Sequence, residues 1–267
     1  MASLSITKAW NETVAFVTRE GRLLFPIAFL LVALPGAVLQ VAMPTPVPSQ
    51  TPEAGVWLLL VPVAMVASMI GTLAISFLAL RPGASVAEGL QVGLRRFIHL
   101  FGAALLVGIA GALLIVPVVI LFGAAAVGGG EAAAAALAAL LLIALIPVFL
   151  FFWVRLILMT PVAAMEDVGP IRIITRSWEL TRSHFWKLLG FVVLVAIAAV
   201  VVMFVVTAIG GLVIFMLAGP PLPDSLSMYL LLVLSALLQS VVSALFVTLL
   251  ARVYAQLTDA GMPQVFA

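Results

Sequence analysis

Arg155 stands in the run Phe151-Phe152-Trp153-Val154-Arg155-Leu156-Ile157-Leu158-Met159-Thr160, five residues before a long apolar stretch ends. At about 1.5 Å of rise per helical residue it sits roughly 7 Å inside the end of a membrane span. An ionised group at that depth is costly and is normally paired. Glu166 and Asp167 follow Pro161 closely enough to fold back as its partners. Two roles fit: a contact for solute or lipid in a transporter that uses Arg155 with Glu166, or an anchor that snorkels to the interface and is locked by an ion pair.

A second group of charges follows. From Pro170, which suits a first helical position, Arg172, Arg176, Glu179, Ser183 and Lys187 fall on one helical face, with Ile174, Trp178 and Phe185 opposite. A helix lying in the headgroup layer has this pattern, apolar residues toward acyl chains and cations toward phosphates. The same pattern also suits an apolar face packed on the protein's own spans. Arg182, His184 and Trp186 extend the patch. Arg155, Glu166, Asp167, Arg172, Arg176, Trp178, Arg182, His184, Trp186 and Lys187 are therefore the candidates for headgroup or interface contact.

No reaction centre accompanies them. Cys is absent, and neither His99 nor His184 has a second ligand at metal-binding spacing. Ser177 lacks a plausible base, and the glycines at 89, 93, 108 and 111 suit close helix packing better than a phosphate loop. The sequence predicts no catalytic, cofactor-binding or metal residue, and no enzyme.

These residues must be positioned by membrane helices. Of 267 residues, 66% are hydrophobic and 8% charged, against about 45–50% and about 25% in a soluble domain. That excludes a water-soluble globule, a disordered chain and a disulfide scaffold. Six apolar stretches reach the roughly 20 residues a span requires: 23–43, 56–80, 97–127, 132–159, 188–217 and 226–251. The first follows Lys8, Arg19 and Arg22 and lacks a cleavage site, so it reads as a retained span. The prolines at 26, 35, 62, 117 and 147 are potential kinks, and Gln239, Ser240, Ser243 and Thr248 give span six a polar stripe.

All twelve Lys and Arg residues fall on one side of this layout, while the three opposite loops carry Glu53, Glu131 and Asp224 and no cation. Basic residues stay cytoplasmic, so a bacterial inner-membrane protein with both termini in the cytoplasm is expected. The outer loops are short: a proline-rich stretch at 44–52, Gly128-Gly129-Gly130, and Gly219-Pro220-Pro221 with Pro223. Each pair of spans is preceded by an amphipathic stretch, beginning at Ser3, Ser85 and Pro170. Ser85-Val-Ala-Glu88 fits a capping box. The expected architecture is a single all-α membrane domain with three cytoplasmic interfacial helices, in parallel repeats of about 1–83, 84–166 and 167–267.

Arg155-Leu156, Pro161, Glu166, Arg176-Ser177-Trp178-Glu179-Leu180-Thr181, Trp186 and Arg252-Val253-Tyr254 together resemble the glycerophosphoryl diester phosphodiesterase membrane domain family and its six-helix bacterial relatives. The third repeat carries the resemblance; the rest agrees by topology. Ser183 and His184 depart from the glycine and charged residue of that pattern. In family members with a phosphodiesterase barrel, the catalytic and metal-binding residues lie outside the membrane part, so the resemblance implies no such activity here. It implies a role near phospholipid or phosphodiester chemistry.

The expected function is thus non-enzymatic: anionic phospholipid headgroups as partners, no nucleic acid, no cofactor, and assistance or scaffolding in phospholipid handling. A homo-oligomer or a second membrane protein stays open as a partner. The alternative is a small-solute or lipid transporter, although the order of interfacial helix and hairpin differs from mitochondrial carriers and inverted repeats are missing.

Overall fold

The computed structural model describes residues 5–43, 55–222 and 225–259, all helix and connecting turns, with no strand among them. The proline-rich stretch at 44–52, Glu53, Pro223 and Asp224 lie outside the described residues. The helices are α1 (Ile6–Ile27), a π-helical segment (Ala28–Ala33), α2 (Leu34–Ala42), α3 (Trp57–Leu80), α4 (Val86–Leu156), α5 (Met159–Met165), α6 (Pro170–Arg182), α7 (Phe185–Ala218) and α8 (Leu226–Asp259). Among the described residues six helical stretches are long and apolar enough to cross a membrane, and they overlap the six runs read from hydropathy.

The element α4 is two spans. A straight helix would hold Arg96 about 100 Å from Ala163, yet Arg96 Nη1 donates to the Ala163 carbonyl at 3.2 Å. The reversal occurs at Gly130, whose φ of 73° and ψ of 177° are non-helical and inaccessible to most L residues. The next hairpin turns at Gly219, φ 82°.

Proline leaves a visible mark on the first span. Pro26 and Pro35 flank the π-helical segment, where the Leu34 amide reaches back five residues to the Phe29 carbonyl. Widening the ladder accommodates the donors that proline removes. At Pro62 the helix continues unbroken.

Of the three amphipathic stretches, only the third is a helix of its own. The first is continuous with span one through α1, and the second, started by the Ser85–Glu88 capping box, continues straight into span three. Helices α3 and α4 cross there at close range: a Cβ on Gly93 would meet the Ile70 carbonyl at 2.7 Å. A Cβ on Gly108 or Gly111 would meet no other helix within 4 Å among the described residues, so the close-packing reading of those two is not met.

The packed core gathers at one pole. Leu73, Phe77, Leu100, Ala103, Val154, Leu158, Ile173, Leu188, Leu249 and Val253 form one buried cluster, and Phe16, Leu24, Ala28, Ile75, Ala244 and Ala251 belong to the next. The chain ends meet there, since the Ser5 amide donates to Gln256 Oε1 at 3.2 Å. Away from this pole the hairpins expose Leu113, Ile120, Ile143, Phe149, Val200, Phe204 and Met216. Such surface belongs against lipid.

Candidate functional site

The third amphipathic stretch builds the site. Helix α4 ends because Leu158 leaves the helical region (φ −90°, ψ 7°) and Pro161 has no amide to offer the Ile157 carbonyl. Carbonyls of that last turn need other donors. Ser177 Oγ donates to the Arg155 carbonyl at 2.8 Å and Thr181 Oγ1 reaches it at 3.3 Å. Ile173, Ser177 and Thr181, at i, i+4 and i+8, are fully buried. The docked face of α6 is therefore this small polar stripe, with Ile174 and Trp178 half-buried beside it and Phe185 already in α7. A search for bulky apolar positions passes over it; the 4-residue spacing of Ile173, Ser177 and Thr181 is the signal that marks it.

The Arg155 side chain lies among aromatic rings. Its guanidinium carbon is 5.2 Å from the centre of Phe151, 5.0 Å from Trp178 and 5.2 Å from Phe185. The rings also contact each other, Phe151 with Trp178 at 5.7 Å and with Phe185 at 5.3 Å. Arg155 Nε and Nη1 are buried without a hydrogen-bond acceptor. Ring faces attract a cation by about 2 kcal/mol or more when water is excluded, so the π faces stand where a carboxylate was expected.

Neither predicted acid pairs with Arg155. Glu166 Oε1 accepts from Arg176 Nε at 3.1 Å and from the Tyr254 hydroxyl at 2.9 Å, tying the α5–α6 link to α6 and α8. That hydrogen bond raises the Arg176 pKa above its ordinary value against the pull of burial, with the charge of Glu166 adding to it. Arg176 also reaches Glu179 at 3.6 Å, and Arg172 reaches the same residue at 3.6 Å. Asp167 is exposed, with no ion pair among the described residues. The reason is directional: the chain after Pro161 carries Glu166 outward beside α8, while Arg155 points to the α6–α7 junction.

The remaining candidates separate into bound and free. His184 Nδ1 shares a hydrogen bond with Ser183 Oγ at 2.8 Å. Trp186 is 80% exposed and stacks edge-on against Phe185. Arg182 and Lys187 are exposed and make no ion pair among the described residues, and the same holds for Arg22 and Arg95. No three His, Cys, Asp or Glu residues among those described stand close enough to hold a metal ion.

Arg252 and Tyr254 stood in the sequence only as part of the family resemblance, and their contacts were not foreseen. Tyr254 is part of the Glu166 cluster, and Arg252, near the end of α8, lies 5.0 Å from the centre of the Phe16 ring of α1.

A family model described as a domain of unknown function (DUF7847) matches residues 4–257, and the chain belongs to that family. No curated protein and no solved structure matches it.

Proposed function

We propose that this chain is a non-enzymatic, six-span protein of the bacterial inner membrane, with both termini cytoplasmic, that holds anionic phospholipid headgroups at its cationic pole. The amphipathic stretches at 3–22, 85–96 and 170–187 then lie at the cytoplasmic face. The observation that carries the reading is the set of exposed cations without a carboxylate partner among the described residues, Arg22, Arg81, Arg95, Arg182 and Lys187, together with Trp186. Each such cation near an anionic surface contributes about 1 kcal/mol, and an exposed Trp is at home in the interface. The resemblance of 155–190 to the glycerophosphoryl diester phosphodiesterase membrane domain extends the reading to assisting or scaffolding phospholipid or phosphodiester handling.

Lipid co-purification tests it. Anionic lipid is expected to be enriched around the wild type, and the triple variant Arg95→Gln, Arg182→Gln, Lys187→Gln loses most of that enrichment. Arg172→Gln changes it little, because Glu179 already offsets Arg172. Lipid composition identical to the bulk membrane, before and after the substitutions, refutes the reading.

A transporter reading rests on Arg155, a cation in a span without a carboxylate partner. Its pairing with Glu166 is absent here, because Glu166 is engaged by Arg176 and Tyr254. Solute uptake into proteoliposomes that Arg155→Gln abolishes would favour it over the headgroup role.

A further inference from the structure

Among the described residues six buried side-chain polar atoms have no hydrogen-bond partner, and three of them line one face of α8: Thr248 Oγ1, Arg252 Nε and Gln256 Nε2. Their i, i+4, i+8 spacing stacks them about 6 Å apart. The stripe faces α1. Arg252 lies over the Phe16 ring, and Gln256 takes the Ser5 amide on its other atom, Oε1. Thr248 is fully buried.

All three groups can donate, and one carries a full positive charge. The charged groups whose fields reach Arg252 are Glu12 and Arg19. Glu12 is bridged to Lys8 at 3.8 Å and makes no ion pair with Arg252 among the described residues, and Arg19, paired with Glu20 at 3.0 Å, has no acceptor to offer. Unlike Arg155, Arg252 has a single ring to face. Donors left bare in a buried seam are strongly disfavoured, and a row of donors around one cation complements an oxyanion.

We propose that the α1–α8 seam binds a phosphate group, with Arg252 and Gln256 donating to its oxygens and Thr248 closing the deep end. Phe16, which covers the guanidinium, also lines a groove of about 200 Å³ on the α1–α3 side, with Glu20, Leu24, Leu78 and Arg81. The phosphate is either free or carried on a lipid. The seam is distinct from the exposed cations of the headgroup reading and does not depend on them.

The test uses the full chain, purified in non-ionic detergent and, in parallel, in nanodiscs. Thermal unfolding is followed while inorganic phosphate is titrated against chloride at equal ionic strength; phosphatidylglycerol nanodiscs are compared with nanodiscs of a phosphate-free galactolipid. A saturable rise in Tm is expected. Arg252→Gln weakens the apparent affinity about tenfold or more, the loss of one charge-assisted donor, and Thr248→Val about threefold. Arg182→Gln leaves it unchanged. A response to free phosphate identifies a soluble oxyanion, and one confined to phosphatidylglycerol identifies a lipid phosphate. No phosphate-specific stabilisation in either medium, or one that survives both Arg252→Gln and Thr248→Val, overturns the proposal. Should Arg252→Gln not fold, Thr248→Val, nearly isosteric, carries the test with Glu12→Gln. Removing the competing Glu12 charge tightens phosphate binding if the seam is an anion site; weaker binding in that variant overturns it.

Discussion

Arg155 and Arg252 occupy matching places, each near the end of a returning span at the cationic pole, yet their seats are opposites. Arg155 is enclosed by three rings, and its own carbonyl is held by Ser177 and Thr181. Arg252 has one ring, and bare donors lie one turn to either side of it. Both guanidiniums have buried donors without an acceptor, but three ring faces cover the first and a single ring the second. An arginine near the end of a span can therefore be a brace or a socket, and the difference lies in what the neighbouring helix brings.

The largest effect is expected at the brace. Arg155→Ala removes a cation from a desolvated ring box and leaves a hole, costing about 3 kcal/mol, visible as a lower Tm in detergent. Arg155→Lys recovers only part, since an ammonium does not stack as a planar guanidinium does. A wild-type Tm for Arg155→Ala would erase the contrast with Arg252.

Next is the backbone latch. Ser177→Ala with Thr181→Val leaves the Arg155 carbonyl without its α6 donors and costs about 2 kcal/mol; loosening should be local, with faster amide exchange in α6 than in α3. Uniform exchange across the bundle would show that α6 is held by apolar contact alone.

Smaller still is the carboxylate cluster. Tyr254→Phe removes one hydrogen bond to Glu166 Oε1 and Glu166→Gln removes the charge that strengthens both bonds there, each costing about 1 kcal/mol. Because they share that atom, the double variant falls short of the sum. Additive losses would mean the Arg176 and Tyr254 contacts are independent.

The smallest effect is the sharpest for the comparison. In phosphate-free detergent Arg252→Met should change stability by less than about 0.5 kcal/mol or raise it, because an orphan donor goes and apolar volume stays. A loss as large as that of Arg155→Ala would make both arginines braces.

Much of the scaffold was legible because its causes are local. Each apolar run long enough to span became a helix of membrane-crossing length, Gly130 and Gly219 turned the second and third hairpins, and Ser85 with Glu88 capped α4 as their spacing requires. The candidate site was only half legible. Trp178 does lie on the inward side of α6, but the docked stripe is Ile173, Ser177 and Thr181, small residues whose burial follows from the close approach of α4. Glu166 was recognised as a pairing residue and assigned the wrong arginine, because proximity along the chain does not say which way a turn after Pro161 points. The Tyr254–Glu166 and Phe16–Arg252 contacts gave no signal, since each joins segments far apart in sequence.

Hydropathy with proline and glycine chemistry decided by themselves that the described residues are helical, that six of their helices are of membrane-crossing length, and that two hairpins turn at Gly130 and Gly219. Only the tertiary structure decided what each charge meets. Transfer free energy adds up residue by residue along a chain, so spans can be read in one dimension. A buried guanidinium is stabilised by whatever surrounds it in three, and Arg155 found its rings on α6 and α7 while Arg252 found one on α1.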